Sequence, residues 1–400
     1  MDEKKKNVPK RRFKEFKNAD AWEQRELGEV FSNVKSGNRL PKSYLIKGDV
    51  PYVIAQTNNN GIFMKISAET KDYHLNYMKL FQVPSITFSI DNPKAIFIQT
   101  ERFFTSNIMR VLYNPNLTEQ QYHFFLESIK FLITYFDWSF KFSGPVVMKS
   151  SISVPMRNNM IDFGEINFIG GLLMQLDQTI TLHQRKLEKY KAIKESYLEE
   201  MFPAEGQRKP KRRFPGFTDD WEQRELGELA KVSMNKRIFK DQTTASGDIP
   251  FYKIGTFGKK PDAFISNKLY EEYKFKYPYP QIGDLLISAS GSIGKVVEYD
   301  GEKAYFQDSN IVWLDHNGKI DNLFLKTFYS IVKWQGLEGS TIKRLYNSNI
   351  LKTIINIPSL EEQKEIGYLF KELDKTITLH QKKLDKLKKL KEALLEEMFV

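Results

Sequence analysis

Residues 22–29 read WEQRELGE, and residues 221–228 repeat the same eight letters 199 positions further along the chain. The basic stretch in front of them is repeated too, because residues 10–13 and residues 211–214 both read KRRF. Internal repeats of this kind indicate that one structural unit has been duplicated. The sequence therefore predicts two domains of one fold in a chain of 400 residues.

A second pair of matching segments closes each unit. Residues 177–187 read DQTITLHQRKL and residues 374–384 read DKTITLHQKKL, so nine of eleven positions agree at an offset of 197. The sequence LEEMF at 198–202 recurs at 395–399 with the same offset. Because the units match from end to end, we also expect the two ends of the chain to lie near each other in space.

Between the matched flanks the two copies diverge. Residues 30–150 and 229–340 share only traces, a pattern that suits two domains of one fold with different targets. Short runs of β-branched and aromatic residues alternate there with turn signals, and helical stretches follow at about 119–136 and 322–334. We therefore expect α/β (α+β) domains, each with a curved, largely antiparallel sheet.

The segments that close the units are predicted to be long helices. Apolar residues recur every three or four positions, with lysine and glutamate on the other faces. Such a stripe must be buried, and the nearest partner is the other copy. An antiparallel pair with a pseudo-twofold axis would bring His183 and His380 together at its centre. The predicted helix-pair interface consists of Leu173, Leu176, Ile180, His183, Leu187, Phe370, Leu373, Ile377, His380 and Leu384.

Other arrangements of the helices stay open at this point, since they could pair in parallel or dock separately on their own domains. The two histidines have no supporting cysteines or carboxylates to complete a tetrahedral metal site. A polar layer in a coiled coil is the favoured interpretation, and no metal is expected. The chain then divides into a first domain at 1–164, a helix at 165–202, a second domain at 203–361 and a helix at 362–400.

The charge balance favours a polyanionic partner. Lysine and arginine number 61 against 50 acidic residues, a net charge of +11, which suits nucleic acid or an anionic membrane surface. No cysteine is present, so disulfides and thiolate metal sites are excluded. No apolar run is long enough to span a bilayer, and the charged N-terminus does not resemble a secretory signal. We expect a soluble cytoplasmic protein without a membrane partner.

Basic and amide side chains in the predicted loops are candidate DNA contacts, because arginine and lysine suit phosphates and guanine edges while asparagine suits adenine. Any one of them is more often a solvated surface residue than a contact. In the first domain they are Asn58, Asn59, Asn60, Lys65, Arg102, Asn107, Arg110 and Lys149. In the second domain they are Lys253, Lys259, Lys260, Asn267, Lys268, Ser290, Ser292, Lys295, Lys343, Arg344 and Asn347.

Patterns that would indicate catalysis fail in detail. Residues 290–295 (SGSIGK) resemble part of a phosphate loop, but Ala289 and Val296 break the pattern, so a tight glycine turn is the better interpretation. Pro261-Asp262 followed by EYK at 272–274 superficially matches a metal-dependent nuclease, yet the first copy has no such pair. Methyltransferase motifs and serine, zinc and cysteine hydrolase patterns do not stand out. The chain is therefore predicted not to be an enzyme.

Over nearly the whole chain, these segments resemble the specificity (S) subunits of type I restriction-modification systems. The most telling are WEQRELGE at the start of each unit, SASGSIG at 288–294 and PSLEEQKEI at 358–366. The resemblance implies that each variable domain is a target-recognition domain for one half of a split DNA site. It also implies that the helices form an antiparallel coiled coil that spaces the domains and docks two methyltransferase (M) subunits.

The same resemblance implies a division of labour. Double-stranded DNA and two M subunits are the expected partners, and restriction/translocase (R) subunits would join through the M subunits. No cofactor is expected on this chain, because S-adenosylmethionine, Mg and ATP would be bound by the partners. Two alternatives stay open: an autonomous nuclease or methyltransferase with fused recognition domains, and a coiled-coil scaffold that binds only protein.

One junction departs from the family pattern. The first helix should open with the Pro-x-x-Glu-Glu-Gln signature that begins at Pro358. Instead, the stretch from Pro155 to Asp177 is six residues longer than the stretch from Pro358 to Asp374. We therefore expect the first domain to meet its helix at a different angle.

Overall fold

The computed structural model describes residues 8–334 and 344–399. The chain divides into two compact units: the first consists of residues 1–184 and 382–400, and the second of residues 185–381. Both long helices cross this division. Each unit therefore combines one globular domain with parts of both helices.

The first unit is a mixed α/β domain followed by a long helix. Neighbouring strands in its sheets are antiparallel except for one parallel pair. The elements are β1 (Asp20–Glu26), α1 (Leu27–Val30), β2 (Val34–Ser36), β3 (Lys47–Val53), β4 (Ile62–Ile66), β5 (Ser85–Ser89), β6 (Ile96–Gln99), β7 (Phe104–Thr105), β8 (Met109–Leu112), α2 (Glu119–Thr134), α3 (Gly144–Lys149), β9 (Ser151–Arg157), β10 (Met160–Ile161) and α4 (Phe163–Met201). The sheet orders are β2-β8-β5-β6, β4-β3-β7 and β1-β9-β10, with β3 and β7 parallel.

The second unit repeats this architecture. Its elements are β11 (Glu222–Glu225), α5 (Leu226–Leu229), β12 (Lys231–Ser233), β13 (Ile249–Tyr252), β14 (Phe264–Ile265), α6 (Asn267–Lys276), β15 (Leu285–Ser288), β16 (Val296–Glu298), β17 (Tyr305–Phe306), β18 (Ile311–Asp315), α7 (Asn322–Ile331), α8 (Asn347–Leu351), β19 (Ile354–Ile357) and α9 (Leu360–Met398). The sheet orders are β12-β18-β15-β16, β14-β13-β17 and β11-β19, again with one parallel pair, β13 and β17. The predicted α/β class and the helical stretches at 119–136 and 322–334 are confirmed. Among the described residues, no helix has an apolar stretch of the length needed to cross a membrane.

The hydrophobic core of the first unit is completed by the end of α9. Phe399, directly after that helix, is buried with its ring centroid 5.3 Å from that of Phe124 and 6.2 Å from that of Trp22. Beside it, the backbone N–H of Arg11 donates to the carbonyl oxygen of Glu397 at 3.0 Å. The first and last described parts of the chain therefore lie together, as the repeat predicts, whereas residues 1–7 and 400 themselves lie outside the described residues.

The second unit is completed in the same way by the end of α4. Phe202 is buried with its ring centroid 5.8 Å from that of Trp221 and 5.6 Å from that of Phe324. The backbone N–H of Arg212 donates to the carbonyl oxygen of Glu200 at 2.8 Å. The tryptophan that opens the repeated octapeptide thus provides, in each unit, the ring against which the incoming helix ends.

A buried arginine–glutamate pair joins each KRRF segment to the start of a long helix. In the first unit, Nε and Nη2 of Arg12 donate to the two carboxylate oxygens of Glu165 at 2.9 and 2.5 Å. In the second unit, Arg213 donates to Glu362 in the same way at 2.8 and 2.6 Å. Both carboxylates are only 1% exposed. The bidentate geometry gives each buried carboxylate two strong hydrogen bonds. This explains why both copies of the repeat keep the KRRF segment together with the long helix.

The six extra residues before α4 form an added hairpin. Strands β9 and β10 pair antiparallel, and the two residues between them, Asn158 and Asn159, have φ values of 53° and 62°. Asparagine tolerates this left-handed conformation, which tight two-residue hairpin turns require. In the second unit, β19 leads through Pro358 into α9 without such a hairpin. The arginine–glutamate pairs are the same in both units, so the insertion is accommodated before the helix begins, and a different helix angle in the first domain stays a prediction.

Glycines at equivalent positions let each long helix cross a helix of its domain at close range. A Cβ atom at Gly170 of α4 would lie 1.8 Å from the carbonyl oxygen of Gln120 in α2. A Cβ atom at Gly367 of α9 would lie 2.7 Å from the Cβ atom of Leu323 in α7. Both distances are too short for real atoms, so any side chain would push the helices apart. At the neighbouring Gly171, a Cβ atom would meet only the side chain of Gln120, at 3.6 Å.

The two long helices run antiparallel within each unit. In the first unit, Nζ of Lys391 lies 2.7 Å from Oδ1 of Asp177, and α9 ends beside the KRRF segment, to which the start of α4 is also joined. In the second unit, Nζ of Lys194 lies 2.6 Å from Oδ1 of Asp374. These two ion pairs are equivalent under the repeat, because 177 and 374, and likewise 194 and 391, are 197 positions apart. The antiparallel arrangement is confirmed, whereas the approach of the two central histidines involves both units and stays a prediction.

Glu127 of α2 adds a second carboxylate to the ion pair of the first unit. Its Oε1 lies 2.9 Å from Nζ of Lys391 and 2.9 Å from Nζ of Lys130, and its side chain is 5% exposed. Burial alone would raise the pKa of Glu127, but the two ammonium groups outweigh burial and lower it. Burial alone would lower the pKa of Lys391, but Glu127 and Asp177 outweigh burial and raise it. Lys391 is thus a largely buried link between α2, α4 and α9.

Replacing Gly170 with alanine should destabilise the protein, because the new methyl group would overlap the carbonyl oxygen of Gln120. We expect Gly170→Ala to lower the free energy of unfolding by about 1–3 kcal/mol, the usual cost of overpacking. Gly171→Ala is the matched control, and we expect it to be neutral or to stabilise by up to about 1 kcal/mol, since alanine favours helix. Denaturant unfolding of both variants checks this; equal stabilities would contradict the close crossing.

Removing the ammonium group of Lys391 should cost far more than removing that of its counterpart Lys194. Lys391→Met leaves the buried Glu127 with Lys130 as its remaining cation, and we expect a loss of about 3 kcal/mol. Lys194→Met exposes Asp374, which is already half exposed, and should cost less than about 1 kcal/mol.

The same pair of variants can be compared at low pH. The pKa of Glu127 is lowered by folding, so its contribution to stability is complete above its unfolded pKa and is lost as the pH falls through its folded pKa. The stability difference between the unaltered chain and Lys391→Met should therefore shrink in acid, as measured by unfolding at several pH values. A difference independent of pH would show that Glu127 is not the group left unpaired.

Candidate nucleic-acid interface

An open cleft in the second unit gathers basic side chains from separate parts of the chain. It has a volume of about 670 Å³. Its walls are the segment after β12, the end of β13, the turn after β17 and Arg344. Four cationic side chains line it: Arg237, Lys240, Lys253 and Arg344. This clustering creates a positive surface of the kind that attracts phosphate groups.

Two amide side chains in the turn after β17 line the same cleft with fixed orientations. The Oε1 atom of Gln307 accepts a hydrogen bond from the backbone N–H of Ile254 at 2.8 Å. The Oδ1 atom of Asn310 accepts from the hydroxyl of Ser290 at 2.8 Å. Each amide oxygen is therefore engaged in a hydrogen bond within the protein, and the NH₂ group is the part of the amide that can donate to a ligand. Such donors complement the acceptor atoms that purines and thymine present in the major groove.

Weak surface interactions hold the cations of the cleft in place. Nε of Arg237 lies 2.9 Å from Oδ2 of Asp308, and Nζ of Lys253 lies 2.8 Å from Oδ1 of Asp262. Arg344 donates to a backbone carbonyl at 3.1 Å and stands over the ring of its neighbour Tyr346. Both cations are open to solvent, although Asp308 is largely buried, and ion pairs with solvent-exposed cations contribute little to stability. The cations are therefore positioned by these contacts and remain able to exchange them for phosphate oxygens.

The candidate residues of the second domain occupy several different places. Lys253 and Arg344 line the cleft. Ser290 is 9% exposed and contacts the cleft through its hydrogen bond to Asn310. Lys295 was expected to face DNA, but its ammonium group donates to the carbonyl of Phe257, so it braces two loops against each other. The remaining described candidates are exposed on other loops and helix starts: Lys259, Lys260, Asn267, Lys268, Ser292 and Asn347. Lys343 lies outside the described residues.

In the first unit, a hydrogen-bonded asparagine–aspartate pair organises the corresponding loops. Nδ2 of Asn38 donates to Oδ2 of Asp72 at 2.7 Å, and Oδ1 of Asn38 accepts from the backbone N–H of Lys79 at 2.9 Å. Asp72 is buried and also accepts from the backbone N–H groups of His74 and Asn76, each at 2.9 Å. The loop from 72 to 79 is thereby fixed beside the segment that follows β2.

Cations from outside that loop stack on its two exposed tyrosine rings. The guanidinium carbon of Arg39 lies 4.9 Å from the ring centroid of Tyr73, and Nζ of Lys71 lies 5.3 Å from that of Tyr77. Both tyrosines are more than half exposed. Nearby, burial and then the charge of Lys35 lower the pKa of Lys79. Exposed aromatic and basic side chains in one patch are typical of surfaces that bind nucleic acid.

Several candidate residues of the first domain lie in or near the β3–β4 turn. The exposed Asn58, Asn59 and Asn60 make up this turn, and Gln99 of β6 donates to the carbonyl of Asn60 at 2.9 Å. Lys65 forms an exposed ion pair with Glu101 at 3.1 Å, directly before the exposed Arg102. The remaining candidates lie elsewhere in the domain. Arg110 donates to the carbonyl oxygen of Asn107 at 2.7 Å, and Lys149 is exposed at the end of α3.

Sequence reasoning missed several of these groups. Arg237, Lys240, Gln307 and Asn310 in the second unit were not selected, and neither was the patch around Arg39 in the first. One signal was available: Arg39 and Arg237 each lie five residues after the equivalent valines of β2 and β12. Their nearness to residues far along the chain could not be read without the fold.

The architecture is a tandem repeat, in which two copies of one domain carry different loops and each is combined with parts of both long helices. Comparison with known families identifies the frame. The type I restriction modification DNA specificity domain matches residues 19–192 and again residues 218–389. The chain belongs to this family, and both of its units are members.

Individual relatives agree with this assignment. The chain is similar to a type I restriction enzyme specificity subunit of Haemophilus influenzae, with 60% identity over 156 residues, which are 39% of this chain and 40% of that protein. It is also similar to the type I restriction enzyme MjaX specificity subunit of Methanocaldococcus jannaschii, with 28% identity over 196 residues, 45% of this chain and 46% of that protein. The chain thus aligns with less than half the length of either curated relative.

A solved structure shows the same fold over the full length. The S subunit of a type I restriction-modification system from M. genitalium matches with a TM-score of 0.64 and 16% sequence identity, covering 98% of this chain and 99% of that chain. At this level of identity the likeness establishes the fold alone. Within residues 8–334 and 344–399, no group of three or more acidic or histidine side chains is arranged to hold a metal ion.

Removing the arginines of the second-unit cleft should weaken DNA binding. We expect Arg237→Ala and Arg344→Ala each to reduce the affinity for duplex DNA by about 1–3 kcal/mol, or roughly 5- to 150-fold. Lys326→Ala is the control, since Lys326 is an exposed, ion-paired cation of the same unit that lies outside the cleft. Fluorescence anisotropy with a labelled duplex measures the effect; a loss no greater than that of the control would exclude the cleft.

Proposed function

We propose that this chain is the DNA-reading subunit of a type I restriction-modification complex, in which each domain recognises one half of a bipartite site. The observation that carries the proposal is the cleft of the second unit, where the amides of Gln307 and Asn310 lie among four cations. Amide donors can distinguish base edges, while the cations hold phosphates in register. The first domain carries different groups on the same frame, which suits a different half-site.

The long helices set the spacing between the half-sites in this proposal. Two half-sites read from one face of DNA lie about one helical turn apart, roughly 34–36 Å between centres. The length of each helix is fixed by contacts at both ends: an arginine–glutamate pair where it begins and a buried phenylalanine where it ends. The helices would therefore act as a ruler, and the loops of the domains as the readers.

Two M subunits are the proposed protein partners, and R subunits would join through them. Leu182 on α4 is 51% exposed and Leu379 on α9 is 50% exposed, and the two are 197 positions apart. Equivalent apolar side chains left open to solvent on each helix suit two copies of the same partner, each contacting its helix at this leucine and over the preceding turns, so that the basic residues in the following turns stay uncovered. In this arrangement S-adenosylmethionine, Mg and ATP are bound by the partners, the present chain performs no chemistry, and the assembly acts on DNA in the cytoplasm.

The alternative of an autonomous enzyme has less support. The nuclease-like pair identified in the sequence is not assembled as a site, because Asp262 is bound to Lys253 and Glu272 to Lys276 on the exposed surface. A scaffold that binds only protein would not explain the fixed amide donors of the cleft. These observations favour the reading function over both alternatives.

Mapping of methylated sites tests the proposal. In a strain that carries this chain, exchanging residues 30–150 for those of another family member should change one half of the methylated motif and leave the other half and the spacer unchanged. Gln307→Ala combined with Asn310→Ala should relax only the half read by the second domain. Gln281→Ala, an exposed amide outside the cleft, is the control. A motif that changed in both halves, or in neither, would contradict the assignment of one half to each domain.

A further inference from the structure

Two basic stretches on the long helices carry most of the net charge of the chain. The α9 stretch, residues 382–389, contains five lysines and one aspartate, and the α4 stretch, residues 185–191, contains four basic residues and one glutamate. Their charges of +4 and +3 compare with +11 for all 400 residues. We infer that these stretches bind the phosphate backbone of DNA outside the two half-sites. This inference rests on the proposed function.

In the first unit, the lysines of the α9 stretch point away from the buried side of the helix. Leu384 is 4% exposed and marks the buried side. At 100° per residue, Lys382, Lys386 and Lys389 fall within about 40° of the opposite direction. All three are exposed, and no carboxylate among the described residues lies within ion-pair distance of them. Lys391, just beyond the stretch, is instead bound on the inner side to Asp177 and Glu127.

The α4 stretch repeats this arrangement in the second unit. Leu187 is 5% exposed and marks the buried side, while Arg185 and Lys189 fall opposite it and are exposed. Lys194, just beyond the stretch, is bound to Asp374 on the inner side. Each helix thus separates one lysine that joins the helix pair from a row of basic residues that joins nothing in the described part of the chain.

The far end of each stretch lies several turns from the domain core of its unit, whereas Leu387 within the α9 stretch still packs against the first core. From the buried Leu394 to Lys382 is twelve residues, or about 18 Å along α9, and from Met201 to Arg185 is sixteen residues, or about 24 Å along α4. Lys382 and Arg185 are therefore separated along their helices from the cores of the domains they face. On helices that set the spacing between the half-sites, such groups would meet the DNA beside the bases that are read, where only the uniform phosphate backbone needs to be held.

The basic character is local, which argues against a helix that is charged only for solubility. Residues 361–375 of the same helix α9 contain five acidic residues and three lysines. A solvated face would carry mixed charges along its whole length. The concentration of one sign in the equivalent stretch of both copies complements a polyanion, and DNA is the polyanion that the proposed function already brings to the protein.

The salt dependence of DNA binding tests the inference. The triple variant Lys382→Gln, Lys386→Gln and Lys389→Gln removes three positive charges from the α9 stretch. The control Lys364→Gln, Lys371→Gln and Lys375→Gln removes three from exposed positions of the same helix outside it. Each full-length protein, alone and assembled with M subunits, is titrated with two labelled duplexes of equal length, one containing the mapped bipartite site and one lacking it.

We expect the first variant to make the slope of log affinity against log salt less steep by about 2–3, at about 0.9 per phosphate contact, on both duplexes. The preference for the duplex with the site should stay unchanged, and the control should shift the slope by less than about 1. An equal shift in variant and control would overturn the inference and leave a solvated face. Loss of M-subunit assembly with an unchanged slope would also overturn it and assign the stretch to an acidic protein surface. Failure of the proposed function would appear separately, as an unaltered chain that does not distinguish the two duplexes.

Discussion

The structure depends on one exchange: the phenylalanine that ends each long helix fills the core of the domain to which that helix does not belong. Phe399 packs against Trp22 in the first unit, and Phe202 packs against Trp221 in the second. Neither domain has a complete apolar core without it, because both rings lie among fully buried side chains. Burying one such aromatic ring contributes on the order of 2–3 kcal/mol. The octapeptide and LEEMF repeats are the sequence record of this exchange.

The polar contacts of the frame serve the same purpose by fixing register. The buried pairs Arg12–Glu165 and Arg213–Glu362 place the start of each helix, and the lysine–aspartate pairs align the helices along their length. Contacts that are equivalent in both units make the frame insensitive to what the loops contain. The loops can therefore carry an aromatic–basic patch in one domain and an amide-lined cleft in the other without any change to the scaffold.

The sequence predicted the frame well and the surroundings of the candidate site residues poorly, for physical reasons. Repeats, helical periodicity and charge are local properties, and they were enough to predict two α/β domains and an antiparallel helix pair. A binding surface depends on which loops meet. Lys295 and Ser290 look like exposed contacts in the sequence but have internal partners, whereas Gln307 becomes important only because Arg237 and Arg344 are brought beside it.

The exchanged phenylalanines also set an order for biosynthesis. Phe202 leaves the ribosome before the second domain has been made. The ring that completes the core of the second domain is therefore present when that domain folds. The first domain must wait for Phe399, which is translated 197 residues later than Phe202. At 5–20 residues per second this delay is roughly 10–40 s. During that time the apolar surface around Trp22 is uncovered, so the first domain to be translated is the last to be finished, and nascent chains are most exposed to aggregation or to chaperone capture at that surface.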